Sequence, residues 1–177
     1  MERKLTNYRQ WQKQLQDIRL PRWKELPSLG LYVDQVVTVV NEQLAAFDVE
    51  PLTKAMVNNY VKKKVIQAPV KKKYAVNQLV DLLLIGFFKV SFSIDDIRAG
   101  IAQVTISTYP QQAYEHFATI LETILAEQPV ESAADQIDPA SQALMEAAIQ
   151  AVLAHLKAKH IFAEMHDHQQ PLDVEKG

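Results

Sequence analysis

The sequence predicts a mainly α-helical fold carrying one small β-hairpin. Three observations predict it. Glycine is rare, at four of 177 residues, while the helix formers Ala, Leu, Gln and Lys are plentiful. Apolar residues recur at three- and four-residue spacing in one segment after another. One window, residues 52–74, stands apart: it holds seven lysines and no acid, with Pro69 near its middle.

Charge gives that window its meaning. The whole chain has a formal charge of −2, so +7 here leaves −9 for the remainder. Positive charge gathered into one short segment of an otherwise acidic chain is the footprint of a surface that meets phosphate. Composition excludes several other classes. At 48% hydrophobic and 23% charged, the chain can build a real core and is not compositionally disordered. It has no cysteine, so disulfides and thiolate metal sites are ruled out, which suits a cytoplasmic protein. The polar N-terminus has no signal-like apolar run. The most hydrophobic run, residues 82–88, is far short of the roughly 20 residues a membrane span requires.

In order along the chain, Tyr8, Trp11, Leu15 and Ile18 define an amphipathic helix over 7–18, with Thr6 or Asn7 as its cap. Pro21, Pro27 and Gly30 mark an extended connector that Trp23, Leu26 and Leu29 pin to the body. Residues 1–30 are therefore read as a helix and connector packed on the body of the chain. Val36, Val37, Val40, Leu44 and Phe47 place a second helix over 33–47, which residues 48–51 break. Asn77 caps a helix over 78–90 that is apolar on nearly every side and forms the centre of the core. Ser93 with Asp96 opens a short helix that turns Ile94, Ile97 and Ile101 inward. Residues 31–105 make up the central domain.

Residues 106–177 form a C-terminal helical extension. Tyr114, Phe117, Leu121 and Leu125 stripe one helix over 111–126. An acidic linker, 127–138, leads to Asp138-Pro139, a strong helix start. Met145, Ile149, Val152 and Leu156 then repeat like a short coiled-coil seam.

Within the lysine window, Thr53 caps a helix over 54–64. Met56, Val57, Tyr60 and Val61 share its inner side. Asn58, Asn59 and Lys62 share the other, with Lys63 at the edge. Two helices joined by a short turn, the second presenting amides and ammonium groups, make a helix-turn-helix. Asparagine can pair with an adenine edge and lysine with guanine or phosphate. Residues 65–74 read as a hairpin wing whose Lys71, Lys72 and Lys73 contact backbone phosphate.

Leu52-Thr53, then Met56-Val57-Asn58-Asn59-Tyr60-Val61-Lys62, Pro69 and Lys73-Tyr74, the apolar positions Leu79, Leu83 and Ile85, and Ser93-Ile94-Asp95-Asp96-Ile97 together resemble the MerR-like winged helix-turn-helix superfamily. With Leu20-Pro21, Trp23 and 31–36 upstream, the chain looks more specifically like an uncharacterised bacterial domain-of-unknown-function family, DUF1836. The resemblance spans about residues 5–105. It implies a helix-turn-helix, a wing and two further helices, and no particular target. The chain departs from the MerR pattern in having Asn58 and Asn59 where arginine and tyrosine are common, and Lys64 where glycine precedes the wing.

The expected function is a DNA-binding transcriptional regulator. Asn58, Asn59 and Lys62 read the major groove; Lys54, Lys63, Lys71, Lys72 and Lys73 hold phosphate. Double-stranded DNA is the partner, and a homodimer forms through the C-terminal helices. The alternative is a protein-interaction module built on the same body, which lysine without arginine favours, because bidentate guanine contacts are then absent. A sensor holding a small ligand between the C-terminal helices is a third reading. Tyr60 and Tyr74 could reach phosphate, though Tyr60 is better placed to pack the helix on the core. His160, Glu164, His166 and His168 could form a metal site, but a frayed polar tail is the better reading, and no metal is expected. No catalytic residue and no cofactor are expected, because no nucleophile motif, phosphate loop or HExxH pattern occurs.

Overall fold

The apolar run after Gln78 becomes the hub of the structure, a computed structural model that describes residues 4–167. Those residues contain seven α-helices: α1 (Thr6–Gln16), α2 (Val33–Leu44), α3 (Lys54–Lys62), α4 (Val76–Phe88), α5 (Ile94–Val104), α6 (Pro110–Leu125) and α7 (Pro139–Asp167). Helix α4 touches α2, α5, α6 and α7. It buries Leu79, Val80, Leu82, Leu83, Ile85 and Phe87, each contributing about 1.5–3 kcal/mol of transfer free energy. Gly86 lets α2 cross closely: a Cβ there would stand 2.7 Å from Leu44 Cδ1. Among the described residues, no helix is long and apolar enough to cross a membrane.

Several sequence signals act as local chemistry dictates. The Thr53 hydroxyl accepts from the Met56 amide at 3.1 Å, and Ser93 accepts from Asp96 at 3.1 Å. Asp138 accepts from the Ser141 amide at 2.9 Å and starts α7. The seam residues Met145, Ile149, Val152 and Leu156 are buried within the chain.

Other elements differ from the expectation. Neither Thr6 nor Asn7 caps α1. Instead the amides of Asn7 and Tyr8 donate to the carboxylate of Glu164, at 3.0 and 2.8 Å. A carboxylate at a helix N-terminus satisfies unpaired amides and meets the positive end of the macrodipole. Asn77 is no cap either: α4 starts one residue earlier, and the Ala75 amide donates to Gln78 Oε1 at 2.7 Å. In the connector Leu26 is buried and Trp23 packs edge-on to Tyr114, but Leu29 points outward. Glu122 accepts from the Leu20 amide and Arg22, and Glu115 from the Trp23 amide, so α6 fixes the connector.

The largest correction concerns the wing. No β-strand forms among the described residues, and only isolated bridges join Val70 to Lys73 and Leu31 to Tyr74. The next rung of a hairpin would pair Ala68 with Ala75. The Gln78 side chain occupies that place: its amide nitrogen donates to the carbonyls of Gln67 and Ala68, both at 2.9 Å, while its oxygen takes the Ala75 amide. The backbone groups are satisfied without a ladder, and the chain turns directly into α4.

Candidate nucleic-acid interface

Helix α3 rests on Val57 and Tyr60, both buried, with Met56 and Val61 half-buried beside them. Asn58, Asn59, Lys62 and Lys63 are exposed, as the helical spacing requires. The turn that orients α3 against α2 is clamped by Asn41. Its Nδ2 donates to the Leu52 carbonyl at 2.9 Å, and its Oδ1 accepts from the Leu52 amide at 2.8 Å. This one side chain satisfies both backbone groups of a buried residue.

Past α3, Lys64 adopts a left-handed backbone with φ 58°. This is the position where a glycine would be the unstrained choice. The chain then buries Val65 and Ile66 and reaches a two-residue turn. Val70 and Lys73 exchange backbone hydrogen bonds at 3.1 and 3.0 Å, and the residues between them, Lys71 and Lys72, have φ of 49° and 64°. Two successive positive φ values are the mark of a type I′ turn, which favours Asn-Gly. Three of the seven lysines therefore hold backbone conformations that lysine disfavours.

The turn is anchored, not free. Tyr74 and Leu31 exchange hydrogen bonds at 2.7 and 3.0 Å. A Cβ on Gly30 would meet Lys73 Cβ at 2.8 Å, so the connector must carry glycine to lie this close. The Lys73 ammonium stands 5.6 Å from the centre of the Tyr32 ring, a cation–π distance. Leu29 (83% exposed), Val70 (75%) and Tyr32 (51%) add apolar surface in the turn and the connector beside it. Of these, the sequence marked only Leu29, and as an anchor of the connector, not as surface.

All eight residues expected to touch DNA are exposed. They do not form one patch. Lys54 is at the other end of α3, about 12 Å along the axis from Lys62, and its ammonium faces Asp34 at 3.6 Å. Among the described residues, Lys62, Lys63, Lys64, Lys71, Lys72 and Lys73 have no carboxylate within ion-pair distance. Tyr60 and Tyr74 are both buried, and burial pushes both hydroxyls above their ordinary pKa. They pack and do not reach outward.

The histidine-rich end of α7 is occupied by structural contacts. His160 stacks on Trp11 at 3.7 Å and lies 3.4 Å from an Asp48 oxygen, and burial lowers its pKa. Glu164 caps α1, and His166 stacks against Phe162. His168 lies outside the described residues. No group of three His, Cys, Asp or Glu suited to a metal occurs among the described residues.

Fold and surface together define a class: a mainly helical domain in which a clamped helix pair and an anchored turn present lysines. Residues 21–117, more than half of the chain, match the family described as Domain of unknown function (DUF1836). The chain belongs to that family. No curated protein and no solved structure matches it.

Proposed function

We propose that this chain is a cytoplasmic DNA-binding transcriptional regulator of MerR-like helix-turn-helix type. In this reading α3 enters the major groove, where Asn58, Asn59 and Lys62 face base edges. Lys63, Lys71, Lys72 and Lys73 neutralise phosphate, as does Lys64, and the turn at 70–73 stands where a wing would. Lys54, already beside Asp34, contributes least.

One observation carries the reading. Lys64, Lys71 and Lys72 have positive φ, where an L-residue costs roughly 1–2 kcal/mol relative to its ordinary backbone. Glycine or asparagine would fit these sites better, so the ammonium groups answer a need other than folding. Phosphate is the partner that a carboxylate-free lysine cluster suits best.

A homodimer completes the proposal. The seam on α7 is used inside the chain; the large apolar side chains that helix leaves exposed are Leu144 near its start and Phe162 and Met165 near its C-terminal end, and the last two offer a contact for a second copy.

A gel-shift titration against duplex DNA at two salt concentrations tests the reading. Binding that weakens steeply with salt is expected. Absence of binding at low salt would sink it. The interaction-module alternative gains from Ile106 and Tyr109, exposed apolar side chains between α5 and α6. It predicts DNA affinity no greater than that of an unrelated protein of similar basic content.

A further inference from the structure

A cavity of about 320 Å³ lies between α4, α5, α6 and α7, with Trp23 of the connector at its wall. Its size is that of a small organic molecule, not of a docked helix. The walls are apolar and partly aromatic, with Phe88, Phe92, Phe117, Leu144 and Met145 among them. Into this lining α4 places one carboxylate, Asp81, the only charged residue between Gln78 and Phe88. Asp81 has no hydrogen-bond or ion-pair partner among the described residues. Burial pushes its carboxyl up to about 6, and Arg98 on α5 offsets this only in part. At pH 7.5 the group is still ionised.

A second feature keeps the cavity open. Gly100 lies inside α5 and lines the cavity. A Cβ added there would meet nothing within 4 Å, so no close neighbour requires glycine. Glycine is the least favourable helix residue after proline. Here its missing side chain leaves space, not close packing.

We propose that this cavity binds a small hydrophobic amine, its apolar body between Phe88, Phe117 and Leu144 and its ammonium on Asp81. Charge complementarity sets the class. An unpartnered carboxylate in an apolar wall favours a cation with an apolar body, gains nothing from a neutral analogue and repels an anion. Asp96, which also lines the cavity, adds to the same sign; α7 contributes only Leu144, Met145 and Ala148. Ligand binding here requires no DNA.

Isothermal titration of the full chain at pH 7.5 tests this with three probes of one shape: 4-phenylbutylamine, 4-phenylbutan-1-ol and 4-phenylbutanoate. The amine is expected to bind at least about tenfold more tightly than the alcohol, and the acid not to bind. Asp81→Asn is expected to reduce the amine's advantage to less than about threefold while the alcohol still binds. Gly100→Leu fills the cavity and is expected to remove binding of both, with its helical circular dichroism unchanged. Equal affinity for amine and alcohol in the wild type overturns the proposal. So does binding that survives Gly100→Leu, which would place the ligand elsewhere, and so does failure of all three probes to bind.

Discussion

Replacing Lys71-Lys72 by Asn-Gly separates what the turn needs from what the charge does. The two residues have φ of 49° and 64° between the paired Val70 and Lys73. A left-handed L-residue costs roughly 1–2 kcal/mol, and the Asn-Gly pair relieves most of that at both positions. Glycine gives back about 0.5–1 kcal/mol through greater freedom of the unfolded chain. The double variant Lys71→Asn/Lys72→Gly is therefore expected to be more stable by about 1–2 kcal/mol, raising Tm by roughly 2–8 °C in a chain of this size. The same change removes two positive charges. If each contacts one phosphate, the slope of log affinity against log salt falls by about 1.8. Thermal unfolding and a salt-dependent binding titration on the same preparation read both effects. A lower Tm would refute the turn geometry. A higher Tm with an unchanged salt slope would refute the phosphate contact and leave the turn intact.

Three single side chains give further expected outcomes. Glu164→Gln removes the charge that receives two α1 amides from a site only 5% exposed; a loss of about 1.5–3 kcal/mol in chemical unfolding is expected, with earlier proteolysis before residue 17. Asn41→Ala leaves both backbone groups of buried Leu52 unsatisfied; about 2 kcal/mol should be lost, and any DNA affinity should fall further than the change in folded fraction accounts for. Asp81 has a folded pKa of about 6 against an ordinary 3.8. The folded chain holds that proton more tightly, so its stabilising effect is full below about pH 4 and is lost as pH rises through 6. Asp81→Asn should accordingly raise stability at pH 7.5 by at most about 3 kcal/mol, read as a higher Tm, and change little at pH 4.

Much of the fold was legible because its causes are local. Thr53 and Ser93 reach amides three residues away, and the chain needs no other part of itself to make those bonds. The exposed face of α3 follows from angular spacing alone. The wing was not legible. Its β-branched residues, proline and lysines fit a hairpin, but Gln78 takes the second rung, and nothing near 65–74 announces that the side chain of the following helix will turn back. Asp81 did leave a trace, as the only charge in an apolar run, yet an apolar helix with one acid reads as core until its neighbours are known.

By itself the sequence determined the helices, three of their caps (Thr53, Ser93 and Asp138), the apolar hub at α4 and the concentration of lysine in one window. These depend on periodicity and on contacts within one helical turn. The tertiary structure alone decided that Glu164 caps a helix 157 residues away, that Asn41 sets the α2–α3 turn, and that Lys64, Lys71 and Lys72 stand in left-handed backbone. The physical reason is common to all three. Backbone groups left unpaired by local structure must be satisfied by whatever the packed chain brings near, and the backbone angle of a lysine is set by the anchors on either side of it.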